Sequence, residues 1–368
     1  MNRFEIALAE PSDDAQLRAR MAADFMEGKI AVSLRREPSY FAGCGLQGDA
    51  TQVVKCVDTA SGRIVGLGSR STLRAFVDGR AQRIGYLADL RLAPPLRRGL
   101  LVARGYRMLR TLHDADPVPF YTSVIYEGNT PALAALMGAR AGLPHYVDWG
   151  RVLTPALKLD FARRAPAMGS VTLERGSVQR LPQMIEFLNH ERSHKQFAPV
   201  LEASHFIGGR LAGVAPESFF LALRGGRIVG TLASWDQSSL RQTHVERYPV
   251  GLACLRPLHN ALAVVSPLKR LPAPGGRIDS IYLACAATED NDVSLFRFLL
   301  HTAHESLRRG PWSFAIVAMH EADPLAPVLA EFRAIPAAGR LFVVHYPDAP
   351  LAIDTVARRV PCLEAGCL

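Results

Sequence analysis

Apolar and polar positions alternate over Phe4-Glu5-Ile6-Ala7-Leu8 and then give way to a helical spacing, which predicts a strand followed by a helix. The same succession restarts at Ser170-Val171-Thr172-Leu173-Glu174. Ser61-Gly62-Arg63-Ile64-Val65-Gly66 returns as Gly225-Gly226-Arg227-Ile228-Val229-Gly230, each a tight turn entering a β-branched strand. Ile84-Gly85-Tyr86-Leu87-Ala88 returns within Ile278–Ala284, and Tyr126–Leu133 is paralleled by His320–Pro327. In each copy the predicted order is strand, helix pair, several strands, helix, strand, helix, strand. That order gives an α+β (mixed α/β) architecture, a mostly antiparallel sheet flanked by helices, twice over.

The first two anchors are offset by about 165 residues and the last two by roughly thirty more, so a whole domain is duplicated and the second copy carries an insertion. Domains are expected at 1–163 and 164–368, divided at the polar, proline-containing Asp160–Pro166, with the insertion at about 236–277. An insert of this length exceeds an ordinary hairpin connection; it forms either a lid or partner surface, or a passive packed excursion.

The length of 368 residues agrees with two domains, and 49% apolar with 21% charged residues describes a globular chain. No segment is apolar for long enough to span a bilayer, and the first residues lack the pattern of a signal peptide. A cytoplasmic location and no membrane partner are therefore expected. The net charge of +9 suits an anionic ligand such as a coenzyme. Its arginines are scattered and not gathered in one basic run with aromatics, which makes nucleic acid an unlikely partner. Six cysteines form no CxxC and no zinc spacing, so free thiols and no metal are expected, although Cys362 and Cys367 lie close enough in sequence to pair.

The segment of most chemical interest is Asp89-Leu90-Arg91-Leu92-Ala93-Pro94-Pro95-Leu96-Arg97-Arg98-Gly99, running into Leu100–Leu112. It predicts a strand, a Pro-Pro bend, a short basic loop and a helix. Free amides and two guanidinium groups at a helix N-terminus stabilise an anion. Unpaired strand amides around Leu90 and Leu92 could stabilise an oxyanion formed in acyl transfer.

Asp89-Leu90-Arg91-Leu92-Ala93-Pro94 resembles the D-L-x-V-x-P at the end of the fourth strand of GNAT-type N-acetyltransferases. Arg97 matches the first residue of that family's Q/R-x-x-G-x-G/A loop, and Asn129 and Ala132 match its N-x-x-A at the entry of the next helix. The whole chain resembles a tandem GNAT protein. The resemblance implies a V-shaped gap between the fourth and fifth strands that takes the pantetheine arm of acetyl-CoA. It also implies transfer of an acyl group to an amine on a small molecule or peptide. The coenzyme would be held in the first domain by Leu90, Arg91, Leu92, Arg97, Arg98, Gly99, Leu100, Asn129 and Ala132. Leu100 and Val102 stand where the family has glycine. The second copy's counterpart, Thr288–Ser294, has three carboxylates and no glycine, and is not expected to bind a coenzyme.

Amine acetylation needs a base for the amine and an acid for the thiolate. The tyrosine favoured in the family is missing from Leu133–Gly138. Tyr126 and Tyr86 are the substitutes, and Asp89 and Glu127 the candidate carboxylates. Strand alternation places Tyr86 and Asp89 on opposite faces, and a partnership of Asp89 with a nearby arginine competes with a catalytic role. His301 and His304, at helical spacing, could share a face, as surface or packing pairs do. Acceptor specificity is expected in Phe25–Tyr40 and in the insert. A catalytically degenerate pair acting as a binding module, and a transferase using aminoacyl-tRNA, are the alternative readings. Oligomeric state stays open, a homodimer included.

Overall fold

The computed structural model describes residues 3–28, 30–97, 100–137, 143–348 and 355–368. Each copy begins where the alternation predicts. In the first, β1 (Phe4–Leu8) leads to α1 (Asp14–Ala22), and β2 (Ala50–Asp58), β3 (Arg63–Val77) and β4 (Arg80–Leu92) follow as an antiparallel run. The helix α2 (Leu101–Ala115) crosses to β5 (Tyr121–Tyr126), which lies parallel to β4. The short α3 (Thr130–Leu136), β6 (His145–Leu153) and β7 (Ala156–Lys158) come next.

The second copy repeats this with β8 (Thr172–Arg175), α4 (Leu181–Ser193), β9 (Phe219–Arg224) and β10 (Arg227–Trp235). After the insert, which carries α5 (Val250–Leu262), come β11 (Ser280–Thr288), α6 (Val293–Leu307), the parallel β12 (Phe314–Ile316) and finally β13 (Ala338–His345). Both hairpin turns seen in the repeat are present, with Gly62, Gly225 and Gly226 at positive φ.

The boundary expected at 163/164 divides the chain but not the sheets. The first sheet runs β1-β2-β3-β4-β5-β13-β6 and ends on Met319–His320, so the last long strand of the second copy lies between two strands of the first. The second sheet runs β8-β9-β10-β11-β12-β7 and ends on Ala334–Ile335, so the first copy supplies β7 in exchange. The two crossing points touch: the Thr154 amide donates to the Ala337 carbonyl at 2.8 Å. Leu341-Phe342-Val343-Val344 is wholly buried, the pattern of a strand covered on both faces, which secures β13 in the middle of its sheet.

A third, four-stranded sheet joins the insert to the first copy. Gln242–Arg247 pairs with Ala31–Arg35 on one side and Arg277–Ile278 on the other, with Phe25–Met26 at the edge. The two segments expected to govern the acceptor are thus hydrogen-bonded neighbours. The Ser33 hydroxyl and Arg35 Nη2 both donate to Glu246, at 2.5 and 2.9 Å.

Candidate functional site

The fourth strand of each copy is broken at the same place. In the first, Leu67 faces Arg91 and Ser69 faces Ala88, so Asp89 and Leu90 together oppose Gly68. In the second, Thr231 faces Ala287 and Ala233 faces Ala284, leaving Cys285 and Ala286 opposite Leu232. Each is a β-bulge, with Asp89 and Cys285 in the left-handed region at φ 57° and 52°. A bulge turns its strand away from the next one. Pairing of β4 with β5 stops at Gly85–Tyr121 and Tyr86–Thr122, and the last link is the Ser123 hydroxyl on the Leu87 carbonyl at 2.9 Å. Gly85 permits the close approach before the split, since a Cβ there would stand 2.0 Å from the Tyr121 ring. Beyond that point β5 pairs along its other edge with β13. The same splay follows Tyr282–Ile316 in the second copy.

In the second copy the gap is occupied by the chain itself. Pro361, Cys362, Leu363 and Glu364 line a small cavity with Leu283, Ala286 and Val317–Met319, the residues on either side of the split. The Glu364 carboxylate accepts both contacts of the Cys285 bulge amide at 3.1 Å and is ion-paired with the buried Arg192. Burial, then the neighbouring Glu364, pushes the Cys285 thiol far above its ordinary range. The following helix is closed too: Asp292 Oδ1 accepts from the Ser294 and Leu295 amides at 2.8 and 3.1 Å, the geometry of an N-cap.

The first copy differs at both points. Leu90 is 51% exposed beside the split. The N-cap of α2, Leu100, makes no side-chain cap and its first turn has no acid, so among the described residues its leading amides lack the partner that Asp292 supplies to α6. Leu100, where a glycine was expected, is 77% exposed, its side chain turned to solvent. Arg97 sits beside this helix and is already engaged, its Nε on the Leu92 carbonyl and its Nη2 on Asp24, each at 3.0 Å. Arg98 and Gly99 lie outside the described residues. Asn129 is the N-cap of α3: its side-chain oxygen accepts from the Ala132 amide at 3.3 Å, which gives the N-x-x-A spacing a structural reason.

The candidate catalytic groups separate. Asp89 is paired with the buried Arg36 at 2.5 Å and accepts from the Tyr40 hydroxyl at 3.0 Å. Burial opposes its ionisation, but Arg36, then Arg91 and Arg241, hold the carboxyl below its ordinary value. The expectation that Asp89 receives an amine is therefore corrected: its carboxylate is a buried counter-ion. The expectation that Tyr86 and Asp89 point to opposite faces is corrected as well. The extra residue in the bulge resets the alternation, and the two share one cluster in which burial, then Asp89, raises the Tyr86 phenol well above its usual range. Tyr126 stands exposed at the end of β5. Glu127, next to it, is held bidentately by Arg151 at 2.6 and 2.9 Å, which lowers its carboxyl.

Arg36 and Arg241 carried no signal in the sequence, since neither belongs to a motif. Arg241 leaves the insert to donate to the Gly43, Gly366 and Leu368 carbonyls, and burial, then Arg36, lowers its pKa. Leu368 packs against the core cluster that includes Tyr86 and Leu341. All six cysteines are free, and among the described residues no cluster could hold a metal. His301 and His304 bond to Glu331 and the Lys158 carbonyl and pack on Phe332, as packing residues do.

No protein-family model matches the chain, and no curated protein matches it in sequence. Solved structures do match. A GCN5-related N-acetyltransferase from Sphaerobacter thermophilus is 13% identical with a TM-score of 0.55 over 100% of this chain and 99% of that one. The Saccharomyces cerevisiae N-myristoyltransferase with bound myristoyl-CoA is 9% identical with a TM-score of 0.62, over 99% and 90%. The GCN5-related glucosamine N-acetyltransferase region of a fungal multi-domain GH3 β-N-acetylglucosaminidase is 12% identical with a TM-score of 0.59, over 92% of this chain and 38% of that one. The chain has the fold of the GNAT-type N-acyltransferases, doubled within a single polypeptide.

Proposed function

We propose that the protein is an acyl-CoA-dependent N-acyltransferase whose coenzyme binds in the first copy. Acetyl-CoA is the donor implied by the sequence motifs; the N-myristoyltransferase likeness makes a longer acyl chain the comparison to run. The carrying observation is the contrast between two equivalent gaps. The bulge amide and helix N-terminus of the second copy are both taken by its own carboxylates, whereas among the described residues no carboxylate partner of this kind is seen in the first.

In this reading the pyrophosphate lies against the first turn of α2, where amides and the helix dipole favour an anion, with Arg97 at the rim. The pantetheine arm lies between β4 and β5, and the amides about Leu90 receive the thioester oxygen as it gains charge. The neutral amine attacks the carbonyl carbon, the C–N bond forms and the C–S bond breaks. The ammonium proton leaves to a base, and the thiolate takes a proton. Tyr126 is the best-exposed acid at the end of β5. Glu127, fixed by Arg151, is better suited to orienting the amine or an ordered water than to taking the proton itself. The acceptor is an amine of a small molecule or peptide, approached from the side of the third sheet.

Titration calorimetry with acetyl-CoA and a long-chain acyl-CoA tests this directly. Binding below millimolar is expected with one site per chain, and two sites, or none, would sink the assignment to the first copy. Tyr126→Phe should lower kcat about 10²-fold while leaving coenzyme affinity unchanged.

A further inference from the structure

The insert helix α5 is built the wrong way round for a soluble surface. None of its residues is buried. Val250, Leu255, Leu258, Leu262 and, just past its end, Val265 recur at helical spacing and stand exposed, Leu258 at 60% and Val265 at 84%. Its partly buried side, Leu252, Arg256, His259, Asn260 and Ala263, faces the protein. His259 Nε2 meets the Lys269 carbonyl at 3.0 Å, and Asn260 exchanges two bonds with the Leu271 backbone at 2.8 and 2.9 Å. Lys269 Nζ in turn donates to the Arg308 and Gly310 carbonyls, both at 2.9 Å. Polar bonds to the body of the protein thus hold an apolar stripe outward.

The charge around the stripe identifies what covers it. Between Tyr248 and Gly276 the chain carries Arg256, Lys269 and Arg270 and no aspartate or glutamate. A second copy docked on this face would bring like charges together without an acid to pair them. An anionic bilayer surface complements both features, taking the leucines and valines to the depth of the acyl boundary and the exposed Arg270 among the headgroups, in a segment with no acid to oppose it. We propose that α5 and the residues after it form an interfacial docking site for anionic membranes. The expectation of no membrane partner rests on spanning length, which a helix lying in the interface does not need.

Flotation of the full chain with vesicles tests this. With equal parts phosphatidylcholine and phosphatidylglycerol the protein should float, and far less with phosphatidylcholine alone, with binding weakening as salt is raised. The double variant Leu258→Glu/Val265→Glu should bind at least about tenfold more weakly. Arg256→Gln/Arg270→Gln should lose roughly tenfold on the anionic vesicles only. Because Leu258, Val265 and Arg270 are exposed and Arg256 partly so, an unchanged melting temperature serves as the folding control. Failure of the native chain to float, or equal flotation of the glutamate variant, overturns the proposal. So does a native dimer that the glutamate variant converts to monomer in sedimentation while no vesicle binding is seen, since the stripe would then belong to a second copy.

Discussion

The two copies share a bulge, a splay and a following helix, yet they use them in opposite ways. Where the second copy presents the Cys285 amide to Glu364 and the first turn of α6 to Asp292, the first presents Asp89 to an arginine and leaves the start of α2 uncapped. A duplicated geometry is satisfied by internal carboxylates in the second half; in the proposed reading the first half offers it to a ligand. Internal carboxylates are cheaper to hold than a coenzyme, because they are covalently present at high effective concentration. On the proposed reading, the second half gains stability from the feature that the first would devote to binding.

The largest way to break this contrast is Glu364→Ala. It leaves Arg192 buried without its counter-ion and the Cys285 amide without an acceptor, and should cost about 3–5 kcal/mol, read from urea unfolding. A loss below about 1 kcal/mol would mean that the plug is incidental. Exchanging the helix starts sharpens it. Leu100→Asp places a carboxylate where Asp292 stands in the other copy and should weaken coenzyme binding roughly tenfold or more with stability kept. Asp292→Ala should cost about 1 kcal/mol of stability and leave coenzyme affinity unchanged.

The smallest effect is on pH. Asp116 in the first copy is held by Arg83 and Glu305 in the second by Arg308, each carboxyl at about 2. Their folded values lie below the ordinary 3.8 and 4.5. The stability they add is therefore present above that range and is lost as pH falls toward 2. Both are partly exposed, so the loss from each is slight. Exchanged strands should make acid unfolding a single transition; separate midpoints for circular dichroism and tryptophan fluorescence would show the halves uncoupled.

Much of the fold was legible because the repeat carried local chemistry: turn glycines, alternation and the Pro-Pro bend each read correctly on their own. The strand exchange was not, since Leu341–Val344 has the same buried-strand pattern whichever sheet receives it. The Asp89 bulge was equally hidden. Alternation counts residues, and a bulge adds one without a glycine to mark it, so Tyr86 and Asp89 were assigned to opposite faces. Asn129 and Ala132 match the family motif, and the structure gives their spacing a capping reason. Arg36 and Arg241 were missed because a buried counter-ion is defined by what surrounds it, which no single segment records.

The exchange also orders events during synthesis. Tyr121–Tyr126 has no neighbour on its outer edge until Ala338–His345 has been made, more than two hundred residues later. At ribosomal speeds of about 5–20 residues per second, that edge waits on the order of ten seconds or more. An unpaired strand edge is a template for wrong pairing. Until the second half delivers its strand, that edge of the nascent first half stays open, and slow folding is expected from this topology.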